Sequence, residues 1–305
     1  MQIVRGLEAF PPDAPASAVA LGAFDGIHLG HRAILGTAVT LARQAHLRAV
    51  ACTFDRHPME VLQPERAPLP ITTLEERLEL IAETGIDTTV VIPFTRAIAG
   101  IEAKAFVQDV LVGTLKAKEI VVGFNHRFGR GALGDAELLE TLAGPLGFRA
   151  HVVQALMVDG VAVSSSEIRA ALQRGDLPAA ARLLGRSYSI RGQVVRGDGR
   201  GRTLGFPTAN VKTDRPLGLP VGVYACRLTV GKDEHQAVVN VGFRPTFGVN
   251  ELAVEAHVLD FTGDLYDARV TLSFLLRLRE ERKFPSVDAL RQQIALDVAA
   301  ARAAS

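Results

Sequence analysis

Residues Gly22-Ala23-Phe24-Asp25-Gly26-Ile27-His28-Leu29-Gly30-His31 follow the apolar run Ala18-Val19-Ala20-Leu21 and precede an amphipathic segment that begins at Ala33-Ile34-Leu35. This order predicts a strand, a tight glycine turn and a helix start. A strand feeding a helix N-terminus brings unpaired backbone N–H groups and the positive end of the helix dipole to one point, a geometry that binds anions. Glycines at 22, 26 and 30 permit sharp turning and close approach to a ligand. His28 and His31 add donors suited to a polyphosphate. The turn therefore reads as a nucleoside triphosphate site, with Gly22, Phe24, Asp25, Gly30 and the two histidines as its candidate nucleotide- and phosphate-binding residues. A zinc site fits less well, because histidines three apart lack the i, i+4 spacing and nearby glutamate of helical zinc motifs. Two ordinary surface imidazoles remain the bland reading, and the glycine frame argues against it.

A chain of 305 residues has room for one large domain or two ordinary ones, and 48% apolar residues supply a sizeable core. Lys plus Arg number 34 against 33 for Asp plus Glu, a formal charge of +1, which excludes nucleic-acid binding driven by bulk charge. Met1 to Gly6 lack the basic start and apolar core of a signal peptide, and no apolar run is long enough to span a bilayer. No membrane or nucleic-acid partner is expected. Two distant cysteines, Cys52 and Cys226, fit a reducing cytoplasm.

Strand-like and helix-like segments alternate from residue 18 to about 185. Val50–Phe54, Thr89–Ile92 and Glu119–Val122 read as strands; Leu74–Glu83, capped by Thr72 or Thr73, and Ala103–Leu111 read as helices. This alternation predicts a Rossmann-like parallel sheet with helices on both faces, whose ligand lies beyond the C-terminal strand ends. Three more polar clusters fall at such ends: Thr53-Phe54-Asp55-Arg56-His57-Pro58, Gly123-Phe124-Asn125-His126-Arg127-Phe128-Gly129, and Ser164-Ser165-Ser166-Glu167-Ile168-Arg169. Turn formation and helix capping explain part of each. The serines also open a helix with Arg169 one turn inside, a second phosphate-binding geometry.

The ordered set His-x-Gly-His, Thr-Phe-x-x-His-Pro, Gly-x-Asn-x-x-Phe-Gly and Ser-Ser-x-x-Ile-Arg resembles the adenylyltransferase half of bacterial FAD synthetases, within the nucleotidyltransferase superfamily. The resemblance implies that His28 and His31 contact ATP phosphates and stabilise adenylyl transfer. It further implies that Ser164, Ser165 and Arg169 grip phosphate and that Asn125 and His57 help hold the flavin. One departure stands out: His126 occupies a position where such proteins commonly carry an aromatic residue.

Helical periodicity ends at Gly185-Arg186, and Tyr188–Val195 alternates with period two. This places a boundary near residue 186, giving domains 1–185 and 186–305. Further strands are read at Val221–Val230, Gln236–Val241, Leu252–Leu259 and Arg269–Leu278. Ser286 then caps a closing helix with Val287, Leu290, Ile294 and Val298 toward the core. The pattern predicts a small antiparallel β-barrel covered by one helix.

Between Tyr188–Val195 and Val221–Val230 lies Gly197-Asp198-Gly199-Arg200-Gly201-Arg202-Thr203-Leu204-Gly205-Phe206-Pro207-Thr208-Ala209-Asn210. A glycine loop carrying arginines suits a flap over phosphates, with Gly199, Arg202 and Gly205 as its candidates. Thr208 and Asn210 alternate about Ala209, so a strand would point both the same way, and their oxygens are hard donors suited to Mg²⁺. Gly-Arg-Thr-Leu-Gly-Phe-Pro-Thr-Ala-Asn closely resembles the riboflavin kinase signature, with onward similarity through Asn240–Thr246, Glu255–Phe261 and Leu278–Phe284. That resemblance implies Thr208 and Asn210 on Mg–nucleotide, Glu255 as general base on the flavin ribityl hydroxyl, and Arg279 near the flavin. Taken together the chain resembles the bifunctional riboflavin kinase/FAD synthetases. The resemblance implies two enzymatic reactions that consume riboflavin, FMN and ATP and yield FMN and FAD. A flavin-binding regulator without turnover, and a kinase whose N-terminal half serves another acceptor or has lost activity, are the alternatives.

Overall fold

The computed structural model describes residues 1–197, 205–246 and 249–304. It comprises two compact units that divide between Ser165 and Ser166.

The first unit holds strands β1 (Gln2–Arg5), β2 (Ser17–Leu21), β3 (Arg48–Phe54), β4 (Thr88–Ile92), β5 (Ala117–Gly123) and β6 (Arg149–Val153). They form one parallel sheet in the order β1-β4-β3-β2-β5-β6. Chain order runs outward from β2 to β3 and β4 on one side and to β5 and β6 on the other. The winding therefore reverses beside β2, and the C-terminal end of β2 is the topological switch point where open α/β sheets bind ligands. Helix α1 (Leu29–Gln44) follows β2, and α2 (Pro58–Leu62) follows β3. The connections continue with α3 (Leu74–Ala82), α4 (Arg96–Ala99), α5 (Ala103–Ala105) and α6 (Ala136–Leu146). The helix expected from Ala103 becomes π-helical over Phe106–Thr114. A short hairpin of β7 (Met157–Val158) and β8 (Val161–Ala162) precedes α7 (Ser165–Gln173) and α8 (Leu177–Leu184).

Strand alternation sorts the core onto two faces. Val19 and Leu21 join Val50, Cys52, Ile120 and Phe106 on one side. Ala18 and Ala20 join Ala38, Ala42, Ala49 and Ala51 on the other. Alanine on both helix and sheet lets α1 lie close to the strands, which holds its N-terminus against the end of β2. Thr73 is the cap of α3, its hydroxyl accepting from Glu76 N at 3.1 Å while Glu76 returns to Thr73 N, a reciprocal capping box.

At the other end of β5, buried Glu119 accepts hydrogen bonds from Arg149 Nε at 2.9 Å and pairs with His151 Nε2 at 2.7 Å. Burial alone would raise the carboxyl, but these two partners outweigh it and hold it below its usual value. A lowered carboxylate contributes stability that is complete above its unfolded pKa of about 4.3 and is lost as pH falls through the lower native value. Glu119→Gln is therefore expected to flatten the fall in melting temperature below about pH 4.3, measured by calorimetry across pH. An unchanged acid slope would remove Glu119 from that role.

The second unit is a closed antiparallel barrel in the order β10-β13-β12-β11-β14-β9. Its strands are β9 (Tyr188–Val195), β10 (Ala209–Thr213), β11 (Gly222–Val230), β12 (Asp233–Thr246), β13 (Val249–Val258) and β14 (Arg269–Arg279). Helix α8 packs on β14 and β9, and Gly175 between α7 and α8 lies against Arg277 of β14. That is why the division by packing precedes the change in sequence periodicity near 186. Helix α9 (Val287–Ala303) begins at its expected cap, Ser286, whose hydroxyl accepts from Ala289 N. One part of its expected apolar face is corrected: Val287 is 55% exposed. Leu290 and Ile294 are half-buried, Val298 packs on the barrel, and the buried positions are Asp297 and Ala301. The helix lies on the barrel through its later turns, so its first residue projects past the edge.

Candidate active sites

The turn after β2 is a strained, fully packed device. Phe24 and Ile27 have φ of +53° and +37°, a left-handed conformation costly for residues with side chains, and both are completely buried. The Asp25 carboxylate holds the turn by accepting from Ile71 N at 3.0 Å, Thr72 N at 3.1 Å and Thr72 Oγ1 at 3.2 Å. Thr72 Oγ1 in turn accepts from Gly26 N at 3.1 Å. Thr72 therefore ties down this loop and leaves the capping of α3 to Thr73. A Cβ on Gly22 would come within 2.8 Å of the Phe24 ring. Glycine is required there by close approach.

His28 is the N-cap of α1, and its Nδ1 accepts from His31 N at 3.2 Å. In the neutral ring this places the proton on Nε2, making that atom a donor. The two imidazoles stack at 3.5 Å between centroids with an 18° tilt, and Phe24 meets His31 edge-on at 5.4 Å. A Cβ on Gly30 would lie 3.2 Å from the His28 ring. Ser165, the first residue of α7, donates from its hydroxyl to Asp25 O at 3.0 Å. Ser164 is half-buried beside it. Arg169 lies one turn into α7, half-buried, in the second compact unit.

Arg77 is a residue that sequence reading missed. It is buried on the inner side of α3, and donates to Ala23 O at 2.6 Å and Phe54 O at 2.9 Å. Burial lowers its pKa, partly offset by Asp25 and Asp55. One guanidinium thus fastens the loops after β2 and β3 together. Its signal was an arginine in register with Leu74, Leu78 and Ile81 on the buried face.

A cavity of about 720 Å³ opens at the same strand ends, with Leu21 of β2 and Phe54 of β3 in its wall. Met59, Phe94, Phe106 and His126 also line it. His57 does not line it; it caps α2, its Nδ1 accepting from Met59 N at 3.1 Å, and so sets the position of Met59. Asn125 is exposed on the loop after β5 and is not in the cavity wall.

In the barrel, Glu255 of β13 is the register partner of both Asn210 on β10 and Asn240 on β12. Residues directly opposite in antiparallel strands share a face, so one polar row crosses three strands. Thr208 precedes β10. It lines a cavity of about 340 Å³ with Asn240, Glu255, His257 and Arg279, and also a neighbouring one of about 110 Å³ with Pro207, Phe261 and Tyr266. Thr208 is thus part of both walls. Asn210 lies over Gly197, where a Cβ would come within 2.0 Å of its amide nitrogen. The Arg279 guanidinium is fixed by Asp297, with Nε to Oδ1 at 3.0 Å and Nη2 to Oδ2 at 2.8 Å. Asp297 was missed in the sequence, although a carboxylate beside Ile294 and Val298 on the barrel-facing side of α9 was its signal. Gly205 has φ +86°, a conformation open to glycine. Gly199 and Arg202 lie outside the described residues.

The model of the FAD synthetase family matches residues 11–167, and that of riboflavin kinase matches residues 184–305. The chain belongs to the bifunctional riboflavin kinase/FMN adenylyltransferase family. A relative of that name from Escherichia coli (strain K12) is 37% identical over 99% of this chain and 97% of its own. One from Bacillus subtilis (strain 168) is 36% identical over 92% and 90%. A solved structure from Streptococcus pneumoniae, described as a macrolide-efflux protein, matches with TM-score 0.91 at 31% identity over 99% of each chain. Among the described residues no helix is long and apolar enough to cross a membrane. In this chain, strands β2 to β6 of the parallel sheet fall in the FAD synthetase match and the barrel in the riboflavin kinase match.

Proposed function

We propose that the chain makes FAD from riboflavin in two sequential transfers, riboflavin phosphorylation in domain 186–305 and adenylylation of FMN in domain 1–185. Riboflavin kinase and FMN adenylyltransferase are the activities of its family; the division of labour among residues is our reading. The observation that carries it is repeated in both units. In each, a largely apolar cavity of ligand size adjoins glycine-bearing polar segments.

In the barrel, riboflavin occupies the larger cavity and the nucleotide the smaller, with the reacting atoms meeting beside Thr208. Glu255 accepts the proton of the ribityl 5′-hydroxyl as that oxygen attacks the γ-phosphorus of ATP, and ADP departs. Arg279, held by Asp297, walls the flavin side. Thr208 and Asn210 present a hydroxyl and an amide oxygen, a donor set that fits Mg²⁺ whose remaining ligands are waters and phosphates. When bound, the ion neutralises phosphate charge. The Gly199–Gly205 loop, with Arg202, is assigned to the phosphates on its composition alone.

In the first unit, the FMN phosphate attacks the α-phosphorus of ATP, forming the new P–O bond of FAD and releasing pyrophosphate. The nucleophile is already ionised near pH 7, so alignment and charge stabilisation carry the step. His28 through Nε2–H, His31, the α1 N-terminus and the α7 N-terminus at Ser164 and Ser165 supply donors. Arg169 is assigned to phosphate on its sequence motif alone. Asp25, its carboxylate engaged by Ile71 and Thr72, shapes the turn, as do Gly22, Phe24 and Gly30. His57 acts on the flavin through α2, and Asn125 reaches the ligand from the loop after β5. Both reactions consume ATP, which supports a cytoplasmic setting.

Incubation with riboflavin, ATP and Mg²⁺, followed by chromatography of flavins, is expected to yield FMN that rises first and then gives way to FAD. FMN that accumulates without FAD would retain the kinase and defeat the N-terminal assignment.

A further inference from the structure

Most of the wall of the N-terminal cavity is aliphatic or aromatic, and its polar members Gln63, Arg96, Arg127 and Arg130 are exposed. Arg127 and Arg130 are also paired, with Asp135 and Glu102. His126 differs from all four. Its ring lies nearly parallel to Phe128 at 6.0 Å between centroids, and Phe128 meets Phe106 at 6.1 Å. The backbone N–H of His126 donates to Gly123 O at 3.0 Å, anchoring the residue at the end of β5. Its Nε2 is buried and has no hydrogen-bond partner among the described residues. Burial pulls the imidazole down to about 4, so the ring is neutral near pH 7 and offers one N–H and one lone pair. A polar atom left unmet in an apolar wall is a cost that a bound ligand can relieve.

We propose that His126 is a specificity-determining residue of FMN adenylylation, completing the wall around the flavin ring and giving one hydrogen bond to a polar atom on that ring's edge. This rests on the reading that the cavity holds the flavin of FMN. The flavin edge offers an N–H at N3 and acceptors at O2, O4 and N5, and a neutral imidazole can meet either kind. An aliphatic wall would hold the ring by area alone and would not sense which of these atoms is present. A buried hydrogen-bonding wall discriminates strongly, because a mismatched ligand leaves its partner unpaired.

The test measures FAD formation from FMN, N3-methyl-FMN and 5-deaza-FMN by the intact protein and by His126→Phe, His126→Gln and Ala99→Trp. His126→Phe keeps a flat ring without nitrogen, and His126→Gln restores a hydrogen-bonding group. Ala99→Trp fills the cavity, since Ala99 lines it. His126→Phe is expected to raise KM for FMN about tenfold, equivalent to about 1.4 kcal/mol, with kcat within about threefold. It should also erase the preference for FMN over at least one analogue, and His126→Gln should recover part of both effects. The retained kcat reports a folded domain; should His126→Phe not fold, the same comparison is made with His126→Gln, whose altered analogue preference then carries the test. If His126→Phe keeps the KM and analogue preferences of the parent while Ala99→Trp raises KM, the proposal falls and the cavity assignment stands. If Ala99→Trp also leaves KM unchanged, the flavin is not in this cavity and both fall.

Discussion

Glu255→Gln is expected to lower riboflavin phosphorylation by about 10²–10⁴-fold, the contribution of a positioned general base, while conversion of FMN to FAD continues at the parent rate. The substitution preserves volume and hydrogen-bonding capacity within the row formed with Asn210 and Asn240. A large loss of stability is therefore not its mechanism. The loss should appear in kcat with little change in KM for riboflavin, because the proton is taken in the transition state. ADP release with riboflavin and pyrophosphate release with FMN, measured on the same preparation, separate the two activities. Loss of both would reject independent sites. Phosphorylation at the parent rate would remove Glu255 from catalysis.

Replacing both His28 and His31 by Ala is expected to give an enzyme that makes FMN and stops. Removing one preorganised donor to a developing phosphate charge costs about 10²–10³-fold, and the stacked imidazoles act as a unit whose losses need not add. Part of the effect could arise through the fold, because His28 also caps α1 and loss of a cap costs about 0.5–2 kcal/mol. His28→Asn separates the two contributions: asparagine is a good N-cap but does not place a donor where the imidazole Nε2 lies. A mutant with the parent melting temperature and little FAD production assigns the histidines to chemistry. FAD production at the parent rate would reject the site after β2.

The pattern of residues 18–35 was sufficient to foretell a strand, a glycine turn and a helix, because those elements follow from local periodicity and backbone freedom. In Phe206–Asn210, residue type and alternation marked Thr208 and Asn210 as candidate oxygen donors, and the resemblance to the riboflavin kinase signature implied their role. His57 shows the limit of such reading. Its place next to a proline at a strand end does not reveal that it caps α2, nor that its neighbours Pro58 and Met59 line the cavity. Asp25 is similar, since its role depends on Ile71 and Thr72, whose arrival beside it depends on the path of the chain.

Local order in this chain, and the chemical types available at each strand end, are therefore written in short windows of sequence, where spacing and glycine placement act directly on the backbone. What joined Glu255 to Asn210 and Asn240, Arg77 to two separate loops, Asp297 to Arg279, and His126 to an apolar wall was the tertiary structure. Strand register and burial are decided by contacts between residues far apart in the chain, and a side chain's hydrogen-bond partners and protonation follow from those contacts.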